Sequence, residues 1–157
     1  MSDEDLCYMT ASEAVSLFKA RKLSPVELMQ AVIDRADAVE PTINVFADTY
    51  FDEAMEQAKK AEAKYARPVA RVRPLEGLPL AVKDENKIKG RRTTAGSLVF
   101  KDAIDTSTSL SIERLMKAGG IVHARSTSPE FACAGVTHSR LWGVSRNPWN
   151  PEFTTGG

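Results

Sequence analysis

The chain has 157 residues, within the range of one domain able to bury a core. Lys plus Arg and Asp plus Glu both number 21, so the formal net charge is zero, while 43% of residues are hydrophobic and 27% charged. That balance gives no electrostatic reason for a nucleic-acid or anionic-membrane partner, and no apolar run approaches the length of a membrane span.

The acidic start, Met1 to Asp5, lacks the apolar core of a signal peptide. Two cysteines, Cys7 and Cys133, cannot build a dense disulfide framework, which favours reduced thiols and a cytoplasmic setting. His123 and His138 have no Cys or carboxylate cluster at ligand spacing, so no metal is expected. Gly90-x5-Gly96 lacks the Gly-Lys-Ser/Thr ending of a phosphate loop, and no cofactor is expected.

In chain order, residues 1–66 read as a helical segment. Thr10-Ala-Ser-Glu13 fits a capping box that opens a helix ending near Lys22, with Val15 and Phe18 inward. Ser24-Pro-Val-Glu27 is a stronger start: a serine cap, proline at the first helical position and glutamate at the third. Leu28, Val32, Ala36 and Val39 recur at helical spacing, and Pro41 is expected to stop this helix. Phe51 to Tyr65 predicts a third helix with Met55, Ala58 and Ala61 on one side. Residues 67–77, punctuated by Pro68, Pro74 and Gly77, read as a linker.

Residues 78–134 alternate strand and helix: a strand over 78–82, an irregular Thr- and Gly-rich stretch, then a helix from about Thr106 to Ala118 stopped by Gly119-Gly120. A strand at Ile121-Val-His-Ala124 follows, then a short helix opened by Ser128-Pro-Glu130. This alternation predicts a parallel βαβ-like unit and an α/β fold. Residues 135–157 read as loop, and the rings of Trp142 and Trp149 call for burial, expected either from material this chain does not contain or from the helices already present.

Lys83 stands out. It ends the apolar run Pro79-Leu-Ala-Val82. A lysine at the end of a buried strand loses water, which favours the neutral amine and suits a general base. The same residues also fit a strand-end lysine whose head reaches solvent and pairs with Asp84 or Glu85.

The ordered set Gly77-Leu-Pro-Leu-Ala-Val-Lys-Asp84, Thr93-Thr-Ala-Gly-Ser97, Ala118-Gly-Gly120, Ser128-Pro-Glu-Phe131, Asn147-Pro-Trp149 and Gly156-Gly157 resembles the amidase signature family of serine hydrolases. The resemblance runs from about Tyr8 to Gly157. It implies a mixed sheet flanked by helices, with only the N-terminal part of a single amidase domain present. It implies a Ser–cis-Ser–Lys relay in which Lys83 is the base. Gly156 and Gly157 would open the Gly-Gly-Ser-Ser-Gly-Gly signature, so both serines and the oxyanion hole are expected after the end of this chain, and the 157 residues are expected to be inactive alone.

Gly156 and Gly157 are also read as substrate-side positions or, equally, as a flexible tail. Cys133 is read as facing substrate, or as a buried structural cysteine. Ser97 falls in a motif matched to a structural loop and is not a nucleophile candidate. Asp84 is expected to tie the loop after the lysine to backbone donors. The expected partners are a small amide and either a complementing C-terminal chain or a second copy.

Two departures bear on function. Ala124-Arg-Ser-Thr127 stands where many members carry Gly-Lys-Thr-Asn, and Thr137-His-Ser-Arg140 stands where members that feed ammonia to transfer-RNA amidation typically read Thr-Glu-Asn-Ser. The second departure favours a stand-alone amidase over the A-type component of an amidotransferase. The remaining reading is a truncated, non-enzymatic binding module.

Overall fold

The computed structural model describes residues 2–67 and 71–157. In chain order the elements are α1 (Asp3–Cys7), α2 (Ala11–Lys19), α3 (Pro25–Ile43), β1 (Phe46–Thr49), α4 (Phe51–Tyr65), β2 (Pro79–Lys83), α5 (Leu110–Lys117), β3 (Ile121–Ser126) and the short strands β4 (His138–Ser139), β5 (Gly143–Val144), β6 (Arg146–Asn147) and β7 (Asn150–Thr154). They divide between two compact units, one of Met1–Ala38, Tyr50–Leu80 and Arg114–His123, the other of Val39–Thr49, Ala81–Glu113 and Ala124–Gly157.

Three strands form a sheet in the order β1-β3-β2. β1 runs antiparallel to β3, with Asp48 opposite Arg125 and Thr49 opposite Ala124. β2 and β3 run the same way: Gly77 N–H donates to Gly119 O and Ile121 N–H to Leu78 O where they begin. The sheet is therefore mixed, and β2, α5 and β3 supply the expected strand–helix–strand passage.

The helix starts follow their capping chemistry. Thr10 Oγ1 accepts from Glu13 N–H at 3.2 Å, and at the start of α3 Ser24 N–H donates to Glu27 Oε2 at 2.7 Å. Pro41 does not stop α3; it sits inside the final turn, and the helix runs on to Ile43. Asn44 ends it by taking a left-handed backbone (φ 49°). Glu40 then accepts from the N–H groups of Val45 and Phe46 at 3.0 and 2.9 Å and launches β1, a strand the sequence pattern does not suggest.

α5 begins at Leu110 and not near Thr106. Ser109 Oγ and Thr108 Oγ1 instead accept from Lys87 N–H and Lys89 N–H, at 2.9 and 3.0 Å. The 135–157 segment is not uninterrupted loop. It carries two short antiparallel hairpins, β4–β5 and β6–β7. Residues 68–70 of the expected linker, Pro68 included, lie outside the described residues.

The first unit is held by apolar packing. Phe18, Leu28, Ala31, Leu23 and Leu78 close one cluster, in which Phe18 meets Tyr65 at 5.6 Å between ring centres. Met29 and Ile33 pack on Ala54, Ala58 and Ile121 in a second cluster, where the small alanines of α4 allow close approach. Full burial of a side chain such as Phe18 or Met29 contributes about 1.5–3 kcal/mol. Glu76 is the charged exception, buried and held by Arg73 (2.6 Å) and Lys64 (2.8 Å).

The second unit is organised differently. Asp84, Thr94, Ser97, Arg125, Ser128 and Ser145 are all essentially inaccessible to water. Buried polar groups persist only when hydrogen-bonded. Asp84 accepts from Thr94 N–H at 2.9 Å, from the Thr94 hydroxyl, and from Trp142 Nε1–H at 3.1 Å. The Arg125 guanidinium lies 3.5 Å from Asp84 and donates through Nη2 to Asn86 O and Thr93 Oγ1, each at 2.9 Å.

Two stability predictions come from these cores. The Arg73 hydrogen bond, with smaller help from Lys64, holds the Glu76 carboxyl at about 2, below its ordinary value of 4.5. Its stabilisation is complete above pH 4.5 and is lost as the pH falls through about 2. Both cations reach solvent, so the contribution is on the order of 2 kcal/mol. Glu76→Gln should lower stability by that amount at pH 7 and flatten the acid limb of the denaturation midpoint against pH. Asp84→Ala leaves the Arg125 charge uncompensated and should cost about 3–5 kcal/mol in urea denaturation. Adding Arg125→Met to that variant should recover part of the loss, because removing both charges also removes their desolvation cost.

Candidate active site

Lys83 is the last residue of β2. Its backbone neighbourhood is pinned: Asp84 N–H donates to Ser126 O, and Ala95 N–H donates to Asp84 O, both at 2.9 Å. The side chains of Lys83 and Asp84 part company there. Asp84 turns into the buried network, whereas the Lys83 side chain remains 31% exposed with its ammonium 3.7 Å from Glu85 Oε1. Of the two carboxylates open as its partner, Glu85 takes the role. A contact of that length between groups that both reach water is worth at most about 1 kcal/mol and does not lock the lysine.

The turn facing Asp84 is built by two consecutive left-handed residues, Ala95 (φ 48°) and Gly96 (φ 66°). A Cβ at Gly96 would overlap the Ser128 carbonyl oxygen, so this position needs glycine for both conformation and space. The turn is stitched to the 128–133 segment: Phe131 N–H donates to Ala95 O at 2.8 Å, and Ser97 Oγ donates to Glu130 Oε1 at 2.6 Å. Ser97 Oγ also accepts from Val99 N–H at 3.2 Å, so this buried hydroxyl is fully engaged in structure.

Phe131 (φ 54°) and Ala132 (φ 52°) are left-handed in succession, a strained arrangement for residues with side chains. The helix expected after Ser128 is thereby cut to one 3-10 turn, Glu130–Ala132. Phe131 is 55% exposed and meets Phe100 edge-on at 5.9 Å. Cys133 follows as an exposed free thiol that donates to Glu130 O at 3.0 Å, not as a buried structural cysteine.

Gly156 and Gly157 are tied into the second unit. Thr137 Oγ1 donates to Gly156 O at 2.6 Å, and Thr137 N–H to Thr155 O at 3.0 Å. A Cβ at Gly157 would overlap the Ala134 carbonyl oxygen. Of the two rings that call for burial, Trp142 is partly buried and hydrogen-bonded, whereas Trp149 is 88% exposed among the described residues.

Arg125 and Trp142 are the members of this region whose interactions local pattern does not reveal. Arg125 falls just after the expected strand Ile121-Val-His-Ala124, and only the departure from Gly-Lys-Thr-Asn marks it; the strand in fact runs on to Ser126. Among the described residues its Nε and Nη1 have no acceptor. His123 lies in the first unit, buried and stacked on Phe51 at 6.4 Å, and burial lowers its proton affinity below the ordinary histidine value. Among the described residues, no three His, Cys, Asp or Glu side chains gather to hold a metal, and no helix is long and apolar enough to cross a membrane.

The arrangement offers a lysine on a rigid backbone beside a strained, partly apolar turn. Known proteins resemble the chain as a whole. The Amidase family model matches residues 27–157. A glutamyl-tRNA(Gln) amidotransferase of Symbiobacterium thermophilum has an A-type component that is 34% identical over 95% of this chain and 30% of its own length. An acylamidase of Rhodococcus erythropolis is 32% identical over 100% of this chain and 33% of its own. The crystal structure of a bacterial aryl acylamidase of the amidase signature family superposes with a TM-score of 0.87 at 28% identity, over 95% of this chain and 31% of that one. The chain thus spans about a third of the length of the proteins it matches. On the family match and these likenesses together, the chain belongs to the amidase signature family.

Proposed function

We propose that the protein carrying these residues hydrolyses a carboxylic amide C–N bond through an acyl-enzyme, with Lys83 as the base. The observation that supports this most is the contrast at the end of β2: Asp84 is buried and pinned, while the adjacent Lys83 amine is left partly open and only loosely paired. A base needs a fixed backbone and a head group within reach of the proton it takes.

In this reading the serines follow Gly157. Acting as the base, Lys83 takes a proton from the relay serine, which takes one from the nucleophilic serine. The nucleophile's oxygen bonds to the amide carbon, the C–N bond breaks, and the proton passes to the departing ammonia or amine. Water then cleaves the ester and releases the acid. Gly156, Gly157 and Cys133 would lie on the substrate side. The partners are a small amide and a complementing chain or second copy, and a chain with only two cysteines fits a cytoplasmic setting.

The A-type component of a transfer-RNA-dependent amidotransferase is the second reading, favoured by the Symbiobacterium relative. Identities of 34% and 32% do not separate the two, and Thr137-His-Ser-Arg140 weighs toward the stand-alone amidase.

The test uses protein purified from its native gene, with intact mass measured first, assayed on simple aryl and alkyl amides. Lys83→Ala should lower kcat/KM by at least about 100-fold. Lys83→Arg should be equally impaired, because arginine keeps its proton. An active Lys83→Arg variant would reduce the lysine to a positive charge. Full activity in Lys83→Ala would overturn the assignment. Ammonia release from glutamine that depends on a second protein would favour the amidotransferase.

A further inference from the structure

We propose that Asp84 and Trp142 are a positioning pair that sets Lys83 in register with the segment ending at Gly156, an inference that rests on the amidase reading above. The two segments are far apart in sequence and meet where the indole N–H of Trp142 lies 3.1 Å from both Asp84 Oδ2 and Thr94 Oγ1. Asp84, next to Lys83, is completely buried, and its backbone is fixed on both sides by Ser126 O and Ala95 N–H. Its Oδ2 accepts from the indole N–H of Trp142 at 3.1 Å, across 58 positions of chain.

Trp142 is itself fixed at both ends. Its backbone N–H donates to Ser139 Oγ at 3.0 Å, and its carbonyl accepts from Asn44 Nδ2 at 2.7 Å. The Arg92 guanidinium lies over the ring, 5.1 Å from its centre. A little further along the chain, Ser145 N–H donates to Thr137 O at 3.0 Å, and Ser145 O accepts from Thr155 N–H at 3.2 Å. Thr137 Oγ1 then holds Gly156 O. A continuous path of short bonds therefore runs from the lysine's neighbour, through the indole and the 139–145 turn, to the Gly-Gly segment.

Within this path the indole N–H joins the Asp84 segment to the 139–156 segment. Burial makes that join directional, since a carboxylate without water must take its donors from fixed protein groups. Asp84 and Trp142 need touch no substrate. Their effect would fall on the turnover step, which depends on the distance from Lys83 to the serines proposed after Gly157, and little on substrate affinity.

Trp142→Phe removes the N–H and keeps an aromatic ring. The variant is made in the protein expressed from its native gene, with Lys83→Ala as control. Two readouts are taken: steady-state kinetics on a simple anilide, and hydrogen exchange of peptides covering 83–86 and 154–157. The expected result is a fall in kcat of about tenfold with KM nearly unchanged, and faster exchange in both peptides. Faster exchange near residue 142 alone would overturn the coupling. Unchanged kcat in Trp142→Phe beside an inactive Lys83→Ala would overturn the positioning role and leave Lys83 as the base. Full activity in Lys83→Ala would remove the base assignment, while exchange would still decide whether the segments are joined. Trp142→Tyr is the second variant. If neither variant folds at the assay temperature, the indole is required for folding itself, and the proposed positioning role falls.

Discussion

A carboxylate that no water reaches dictates most of what surrounds it, and Asp84 is that group in the second unit. The cost of burying a charge is offset only by directed donors, so the chain has to bring them. Thr94 supplies its backbone N–H and hydroxyl, which forces the 94–97 segment to turn tightly. That turn needs left-handed residues at 95 and 96, and the close approach of Ser128 then excludes any side chain at Gly96. Trp142 and Arg125 complete the surroundings from two other parts of the chain. Lys83 inherits a stationary backbone from all of this while keeping its own amine outside the network.

The two units therefore rest on different physics. Phe18, Met29 and the alanines of α4 stabilise the first through non-directional burial, which tolerates swaps of similar volume. The second depends on oriented hydrogen bonds, where a missing donor costs more than a missing methyl group. Directional cores specify geometry, which is what the proposed role of Lys83 requires. The strain at Phe131 and Ala132 belongs to the same unit, where the bonds from Ala95 and Glu130 anchor that turn.

The legibility of this molecule follows the range of its interactions. Helix starts at Thr10 and Ser24 are readable because a cap and its partner lie three residues apart. The strand ending at Lys83 is readable from an apolar run and its punctuation. Strand β1 is hidden because Glu40, a helical residue, supplies the acceptor that starts it. Pro41 misleads because a proline in a final turn loses a bond the helix can spare. That Trp142 should be covered follows from its size, but its choice of Asp84 as acceptor depends on a contact across 58 positions that no local spacing encodes. Arg125 has the same difficulty: nothing in His-Ala-Arg-Ser distinguishes a solvated strand arginine from one with no exposed atom.

Asn44 carries a consequence for variation. Its backbone is left-handed, which glycine and asparagine adopt most readily. Its side-chain amide donates to the carbonyls of Trp142 and Val144, and its own carbonyl accepts from Ser145 Oγ at 2.6 Å. Glycine meets the first demand and forfeits the donors. Aspartate keeps the shape but sets a negative charge against two carbonyl oxygens, and lysine or glutamine reaches too far from a turn this tight. One amide of one length thus answers a backbone requirement and a long-range bonding requirement together, so drift at position 44 is confined to asparagine unless residues about a hundred positions later change with it.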